Sequence, residues 1–338
     1  AKGAAAILMN INNGEIISLA SLPDFDPNHR PKLPATGDPA NSPLFNRAIQ
    51  GVYELGSTFK IFAIAQALEL KLVSPETMIN VSGPLRWGKF KIRDFHNYGS
   101  ELPVKKVISK SSNIGTARIA QEIGSIEQQK FLKSLGFFDI VPLEMVEASG
   151  GKPLLPKNWS ELSTMTISYG HGLSATPLHL AAAYAAIGNG GYRVTPTLQI
   201  QENQKYGDRV ISEVVSKQAL SMLRSVVTDG TATMADVPGY PVAGKTGTAD
   251  KPSPTGRYYD DKVITNFAAL FPAGNPKYVL VVTMDEPEDT TGEEARRTAG
   301  WTAVPVAAEI ITRIAPLLGL RPENNQDPLF KVLPAKMN

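Results

Sequence analysis

Ser57-Thr58-Phe59-Lys60 pairs a hydroxyl with an amine at i, i+3 spacing, which sets both side chains on one helix face, one turn apart. The run opens residues 57–72, where apolar side chains recur at helical spacing and cover nearly every side. The sequence therefore predicts a buried central helix with Gly56-Ser57 at its N-terminus. A serine there lies near the free N–H groups and the positive dipole end, which stabilise negative charge. A lysine buried among apolar side chains loses its proton more readily, because desolvation disfavours the ammonium. A neutral amine beside a hydroxyl is a base for a serine nucleophile.

Ser-x-x-Lys is a weak signal alone. Ser149-Gly150-Gly151-Lys152 repeats it in a Gly-rich stretch where nothing would desolvate the lysine. Two other runs add matching chemistry. Ser111-Ser112-Asn113 brings a second hydroxyl and an amide, inside residues 104–122, which read as helical although Ser and Asn are mildly unfavourable there. Lys245-Thr246-Gly247-Thr248 brings a second lysine and two hydroxyls on a strand expected over 241–249. A glycine inside a strand weakens it and often marks close approach of another backbone or a ligand. Each run alone has an ordinary explanation as a helix cap, a loop cluster or a bulge.

Composition narrows the rest. The chain has 338 residues, no cysteine and four histidines. A thiol nucleophile, a disulfide framework, a zinc ribbon and an iron–sulfur cluster are excluded. With 34 Lys and Arg against 32 Asp and Glu the net charge is +2, which argues against a general nucleic-acid binder. The 28 Gly and 26 Pro fall well short of the roughly 25–30% that marks low-complexity disorder. The longest near-apolar stretch, 178–187, is interrupted by His179 and is far shorter than the ~20 residues of a membrane span. No histidine pair has metal-binding spacing. His29, His96 and His179 read as structural or surface residues, and His171 in Tyr-Gly-His-Gly is a candidate for a cleft rim. The Ala1 start reads as a cut from a longer protein.

The elements that must position these residues can be sketched. Residues 4–11 and 15–22 form an expected β-hairpin around Asn12-Asn13-Gly14. Six prolines in 23–43 predict a long extended loop. Helices are expected over 104–122, 126–135 and 177–188, and a small hairpin over 85–93 turning at Gly88. Strands return near 241–249, 263–271 and 278–284, followed by an amphipathic helix over 301–318. The expected fold is α/β, of the α+β kind. A five-stranded antiparallel sheet is built from both ends of the chain and flanked by helices, beside a mainly helical subdomain. The sheet part takes about 1–72 and 221–320, the insert about 73–220, and 321–338 is a polar tail. The cleft between the two parts is the expected site.

In this order the three runs are a signature of serine β-lactamases and penicillin-binding proteins, with Ser-x-Asn as the middle member. The chain resembles the transpeptidase domain of class B penicillin-binding proteins, nearest to their cell-division branch in Gram-negative bacteria, penicillin-binding protein 3. Asn46-Arg47-Ala48-Ile49, Tyr53-Glu54-Leu55-Gly56-Ser57, Ile92-Arg93-Asp94, Ser168-Tyr169-Gly170-His171-Gly172-Leu173, Thr176-Pro177-Leu178 and Gly256-Arg257-Tyr258 carry the likeness, which runs over about 4–320. Leu55 stands where proline is common, Asp250 falls where the family varies, and the acidic stretch 285–294 reads as a solvated loop.

The resemblance implies roles. Ser57 would attack the penultimate D-Ala carbonyl of a peptidoglycan stem peptide, and Lys60 would accept its proton. Ser111 would relay a proton to the leaving D-Ala, held by Lys245. Asn113 would bond the substrate amide, and Thr246, Gly247 and Thr248 would bind substrate, the threonines at its carboxylate. The N–H groups of Ser57 and Thr248 would form an oxyanion hole, worth about 2.7–4 kcal/mol per donor elsewhere. A second stem's amine would resolve the acyl-enzyme, and β-lactam antibiotics would acylate Ser57. No cofactor or metal is implied. The resemblance further implies divisome membrane proteins as partners, including a glycosyltransferase, and a periplasmic domain joined to an inner-membrane anchor lying outside this sequence. A serine β-lactamase, a D,D-carboxypeptidase and a non-enzymatic β-lactam sensor share the three runs and stay open at this point.

Overall fold

Asn10 and Glu15 close the first turn through the Asn10 N–H to the Glu15 carbonyl, 2.9 Å, with Gly14 at φ +77. Only Gly14 takes a positive φ there, so the connection is longer than the tight Asn-Gly turn the sequence suggests. It joins β1 (Gly3–Asn10) to β2 (Ile16–Leu22). The computed structural model describes residues 1–32, 36–253 and 256–323. The tail expected over 321–338 lies outside the described residues from 324 onward.

After the Pro-rich loop, β3 (Tyr53–Glu54) and a 3-10 turn (Gly56–Phe59) lead into α1 (Lys60–Glu69). Nine consecutive residues, Lys60 to Leu68, are buried, which is the central helix the all-round apolar pattern requires. Four short strands follow, β4 (Met78–Asn80), β5 (Leu85–Trp87), β6 (Phe90–Ile92) and β7 (Glu101–Pro103). β4 pairs with β7, and β5 with β6 around Gly88. Next come α2 (Val104–Ser109), α3 (Asn113–Ile123), α4 (Ser125–Ser134), α5 (Glu161–Ser168), β8 (Ser174–Ala175), α6 (Pro177–Gly188) and α7 (Glu213–Asp229). The chain returns as β9 (Ala243–Pro252), β10 (Tyr258–Phe271) and β11 (Tyr278–Asp285), and α8 (Ala303–Leu317) ends the described fold.

The main sheet is five-stranded and antiparallel, in the order β2-β1-β11-β10-β9, so the two ends of the chain meet at β1 and β11. Its two faces are both covered. Leu270 of β10 meets Gly188 of α6, whereas Thr265 Oγ1 accepts from Thr302 Oγ1 just before α8. Positions 265 and 270 have opposite parity and therefore lie on opposite faces. β2 and β9 are the two edges, and the segments bearing Ser57 and Ser111 approach β9.

Two expectations need correction. Residues 104–122 are not one helix, because α2 ends at Ser109 and α3 begins at Asn113. The first acids of 285–294 are not a solvated loop. Asp285 is 2% exposed and accepts from Lys251 Nζ at 2.6 Å, and Glu286 accepts from the same amine at 2.8 Å. The 17-residue α7 was not singled out in the sequence, although Ser212 caps it and an apolar stripe runs along it. No helix among the described residues is long and apolar enough to cross a membrane.

Candidate active site

Ser57 sits in the 3-10 turn rather than in an α-helix, and Phe59 caps α1 without a side-chain bond. The turn is fastened from three directions. Thr58 Oγ1 donates to the Leu55 carbonyl at 2.8 Å, Tyr184 OH donates to the Thr58 carbonyl at 2.8 Å, and the Gly56 N–H donates to Gly170 O at 3.3 Å. Ser57 itself is half-buried, and no other described residue holds its hydroxyl.

Glycines let the edge strand reach this turn. A Cβ on Gly247 would stand 2.3 Å from the Leu55 carbonyl oxygen and 3.3 Å from the Thr58 nitrogen. A Cβ on Gly56, at φ +57, would stand 2.8 Å from Thr248 O and 3.1 Å from Thr248 N. The close approach read from Gly247 is thus to the backbone around Ser57. It also brings the Thr248 backbone beside the residue that precedes Ser57.

The break between α2 and α3 creates the second component. Ser111 adopts φ +62, a left-handed conformation that costs a non-glycine residue roughly 1–2 kcal/mol. Ser112 is the N-cap of α3 and accepts from Gly115 N at 2.9 Å. Asp94 anchors the junction. Its carboxylate accepts from Ser112 Oγ at 2.6 Å, Asn113 N at 2.6 Å and Ile114 N at 3.0 Å. These contacts satisfy N–H groups that a helix start leaves without partners. The Asn113 side chain donates to Arg93 O at 3.0 Å.

Both lysines are fully buried and converge on Ser111. Lys60 Nζ donates to the Ser111 carbonyl and lies 3.0 Å from Ser111 Oγ. Lys245 Nζ lies 3.0 Å from the same Oγ, and bonds Thr246 O at 3.1 Å and Thr246 Oγ1 at 3.2 Å. Burial first, and then the charge of Lys245, push the Lys60 amine well below the usual lysine range, against a raising influence from Asp94. Burial alone pushes Lys245 down to about 7. The amine of Lys60 thus points to Ser111 rather than to Ser57.

The remaining candidates lie along the same edge. Thr246 Oγ1 shares a 2.6 Å hydrogen bond with Thr231 Oγ1. Thr248 Oγ1 accepts from Ala299 N at 3.0 Å, which leaves its own proton to donate. At the rim, Glu54 accepts from Gly172 N at 2.7 Å and Tyr258 OH at 3.0 Å, and meets His171 Nδ1 at 3.1 Å. Burial would raise the Glu54 carboxyl, but these partners outweigh it and hold the group below the usual range. The His171 ring lies 5.5 Å from that of Tyr169 and 6.4 Å from that of Tyr258. His29 pairs with Asp26 at the surface, and His96 is exposed beside Phe95. His179 is buried in the capping box of α6, where burial lowers it to about 4. Ser149 and Lys152 are both exposed, and the Ser149 hydroxyl bonds Val146 O.

Sequence reasoning assigned no role to Asp94 or Glu54. Asp94 lies 18 residues before the serine it holds, and Glu54 lies 204 before Tyr258. Ile92-Arg93-Asp94 was visible as a run, but its partners depend on the fold.

Residues 4–312 match the family model described as the penicillin binding protein transpeptidase domain. The chain is 34% identical over 330 residues to a probable peptidoglycan D,D-transpeptidase FtsI of Caulobacter vibrioides, covering 95% of this chain and 55% of that protein. It is 31% identical over 324 residues to the peptidoglycan D,D-transpeptidase FtsI of Escherichia coli K12, covering 96% and 53%. The chain thus spans about half the length of these curated relatives. Among solved structures, the apo transpeptidase domain of Burkholderia pseudomallei penicillin-binding protein 3 superposes with a TM-score of 0.82 at 32% identity, covering 96% of this chain and 91% of that one.

Proposed function

The chain belongs to the penicillin-binding protein transpeptidase family, and on that footing we propose that it is the catalytic domain of a serine-type peptidoglycan D,D-transpeptidase of the cell-division branch. The observation that carries the reading is the joint approach of Lys60 Nζ and Lys245 Nζ to Ser111 Oγ, each at 3.0 Å, with Ser57 three residues before Lys60 and its hydroxyl unengaged among the described residues.

Ser57 Oγ attacks the carbonyl carbon of the penultimate D-Ala. Neutral Lys60 takes the hydroxyl proton as the new C–O bond forms. The N–H groups of Ser57 and Thr248 receive the oxyanion. The proton passes by way of Ser111 to the nitrogen of the terminal D-Ala as the amide C–N bond breaks, and D-Ala departs as an amine. Lys245 holds Ser111 for that relay. Asn113 meets the substrate amide, and the hydroxyls of Thr246 and Thr248, with Gly247 allowing the approach, meet the terminal carboxylate. The amine of a second stem then attacks the ester, forms the cross-link and returns the proton to the Ser57 oxygen. A β-lactam enters at the first step and stays as the ester. In the whole protein the domain would be periplasmic, joined to an inner-membrane anchor, and would work with divisome membrane proteins including a glycosyltransferase.

The test is product analysis with a pentapeptide stem substrate, with and without a stem amine acceptor. Cross-linked dimer with one D-Ala released per bond is expected, and Ser57→Ala should abolish both. Release of D-Ala with no dimer would make the chain a carboxypeptidase. Rapid multiple turnover of a β-lactam would make it a β-lactamase. Acylation without either product would leave a sensor domain.

A further inference from the structure

The β5–β6 hairpin carries two features that folding alone would not select. Its register pairs Leu85 with Ile92, Arg86 with Lys91 and Trp87 with Phe90. Leu85 and Ile92 face a small core formed with Ile114, Met165 and Tyr169. Trp87 and Phe90 lie on that same face, one pair further out, and are left 37% and 50% exposed. On the other face, Arg86 and Lys91 are like charges directly opposite one another, an arrangement that destabilises a strand pair.

The cations here have no acidic partner, although Lys89 Nζ lies 5.7 Å from the centroid of the Phe90 ring. Arg86, Lys89, Lys91 and Arg93 are exposed, and none forms an ion pair among the described residues. No acidic residue occurs between Glu76 and Asp94, and the Asp94 oxygens are taken by Ser112, Asn113 and Ile114. The hairpin also borders the site. The Arg93 carbonyl accepts from the Asn113 side chain at 3.0 Å, and Tyr169, packed on the Leu85–Ile92 core, meets His171 at the rim.

We propose that the β5–β6 hairpin is a subsite for the substrate strand beyond the reacting D-Ala-D-Ala, with Arg86, Lys89, Lys91 and Arg93 meeting side carboxylates of the peptide stem and Trp87 and Phe90 packing on the strand's sugar faces. The proposal rests on the transpeptidase reading. An exposed apolar pair on one face of the hairpin, with exposed cations on the other, fits a ligand that crosses the hairpin edge, is anionic and has C–H-rich faces. A stem-bearing glycan strand is both. The subsite would favour polymeric substrate over a free peptide without touching the bond-breaking step.

The test measures binding of the Ser57→Ala chain to uncross-linked glycan strands bearing pentapeptide stems, so that binding is read even if the acylation reading fails. Arg86→Gln with Lys91→Gln should weaken that binding about tenfold and flatten its salt dependence. Trp87→Ala with Phe90→Ala should weaken it comparably, with the salt dependence kept. In the Ser57 background neither pair should change the rate of β-lactam acylation by more than about twofold. Relieving the like-charge pair should leave the melting temperature no lower. Unchanged strand binding would overturn the proposal. So would a parallel fall in acylation, or a loss confined to binding of phosphatidylglycerol vesicles.

Discussion

Lys60 of α1 and Lys245 of β9 reach one hydroxyl oxygen, each amine 3.0 Å from Ser111 Oγ. The two nitrogens are therefore no more than about 6 Å apart. Two unit charges at that separation repel by about 3 kcal/mol at an effective dielectric of ~20, which adds to the larger effect of burial in favouring a neutral amine on one of them. Lys245 has three acceptors and Lys60 has two, both on Ser111, so the proton belongs on Lys245 and the free amine on Lys60.

This division of roles predicts a pH profile. Acylation should fall on the acid side as Lys60 takes up a proton. After burial, the largest influence lowering Lys60 is the Lys245 charge. Lys245→Met should therefore move the acid limb to higher pH, besides lowering the plateau. Stopped-flow acylation by a chromogenic β-lactam across pH 5–9 measures both. An unmoved limb would assign the profile to another group. Lys60→Arg should abolish acylation, because arginine does not deprotonate.

The same burial has a stability signature. Lys245 is held at about 7 in the folded chain, against an ordinary 10.5. Between those values the unfolded chain binds a proton that the folded chain does not. Unfolding then takes up a proton, so this group's contribution to stability rises with pH across that window and is at its lowest, and constant, below it. The difference in unfolding free energy between the natural chain and Lys245→Met should accordingly climb from pH 7 to pH 10. Denaturant titrations at several pH values would show it, and a flat difference would contradict the shift.

Gly247 predicts an effect on geometry. Its added Cβ would meet the Leu55 carbonyl at 2.3 Å, which is backbone and cannot rotate away. Gly247→Ala should push β9 off the Ser57 turn. An ångström-scale displacement of a catalytic group costs about a hundredfold in rate, and acylation should fall at least that far. The change lies in an edge strand paired with β10 alone, and the chain should still melt cooperatively. Near-normal acylation would mean that the contact does not set the site.

Asp94 predicts a graded loss. Asp94→Ala leaves Ser112 Oγ and two N–H groups without their acceptor. A loss of about 1–3 kcal/mol in stability is expected, with slower acylation as the Ser111 turn loosens. Asp94→Asn keeps one acceptor oxygen and should fall between the two. Thermal unfolding and acylation measured side by side check the order of the series.

These contacts mark where reading the sequence ends. Ser57, Lys60, Ser111 and Lys245 were legible because residue type and order already state their chemistry. The strands of the main sheet were legible from apolar runs and from the turn residues that join them, such as Gly14. The α2–α3 break was not, since propensity only registers Ser111, Ser112 and Asn113 as mildly unfavourable, whereas the break is stabilised by Asp94 from elsewhere in the chain. That Lys60 faces Ser111 was equally hidden, because i, i+3 spacing puts it near Ser57 but cannot say which hydroxyl its amine meets. The Glu54–Tyr258 contact joins β3 to β10 and exists only after the sheet forms.

The central claim is that Ser57 is the nucleophile. It is tested most directly by incubating the chain with penicillin, measuring the intact mass, and mapping the modified peptide. One added drug mass is expected, carried on Ser57 and absent from Ser57→Ala. An adduct retained in Ser57→Ala, or mapped to Ser111 or Ser149, would contradict it.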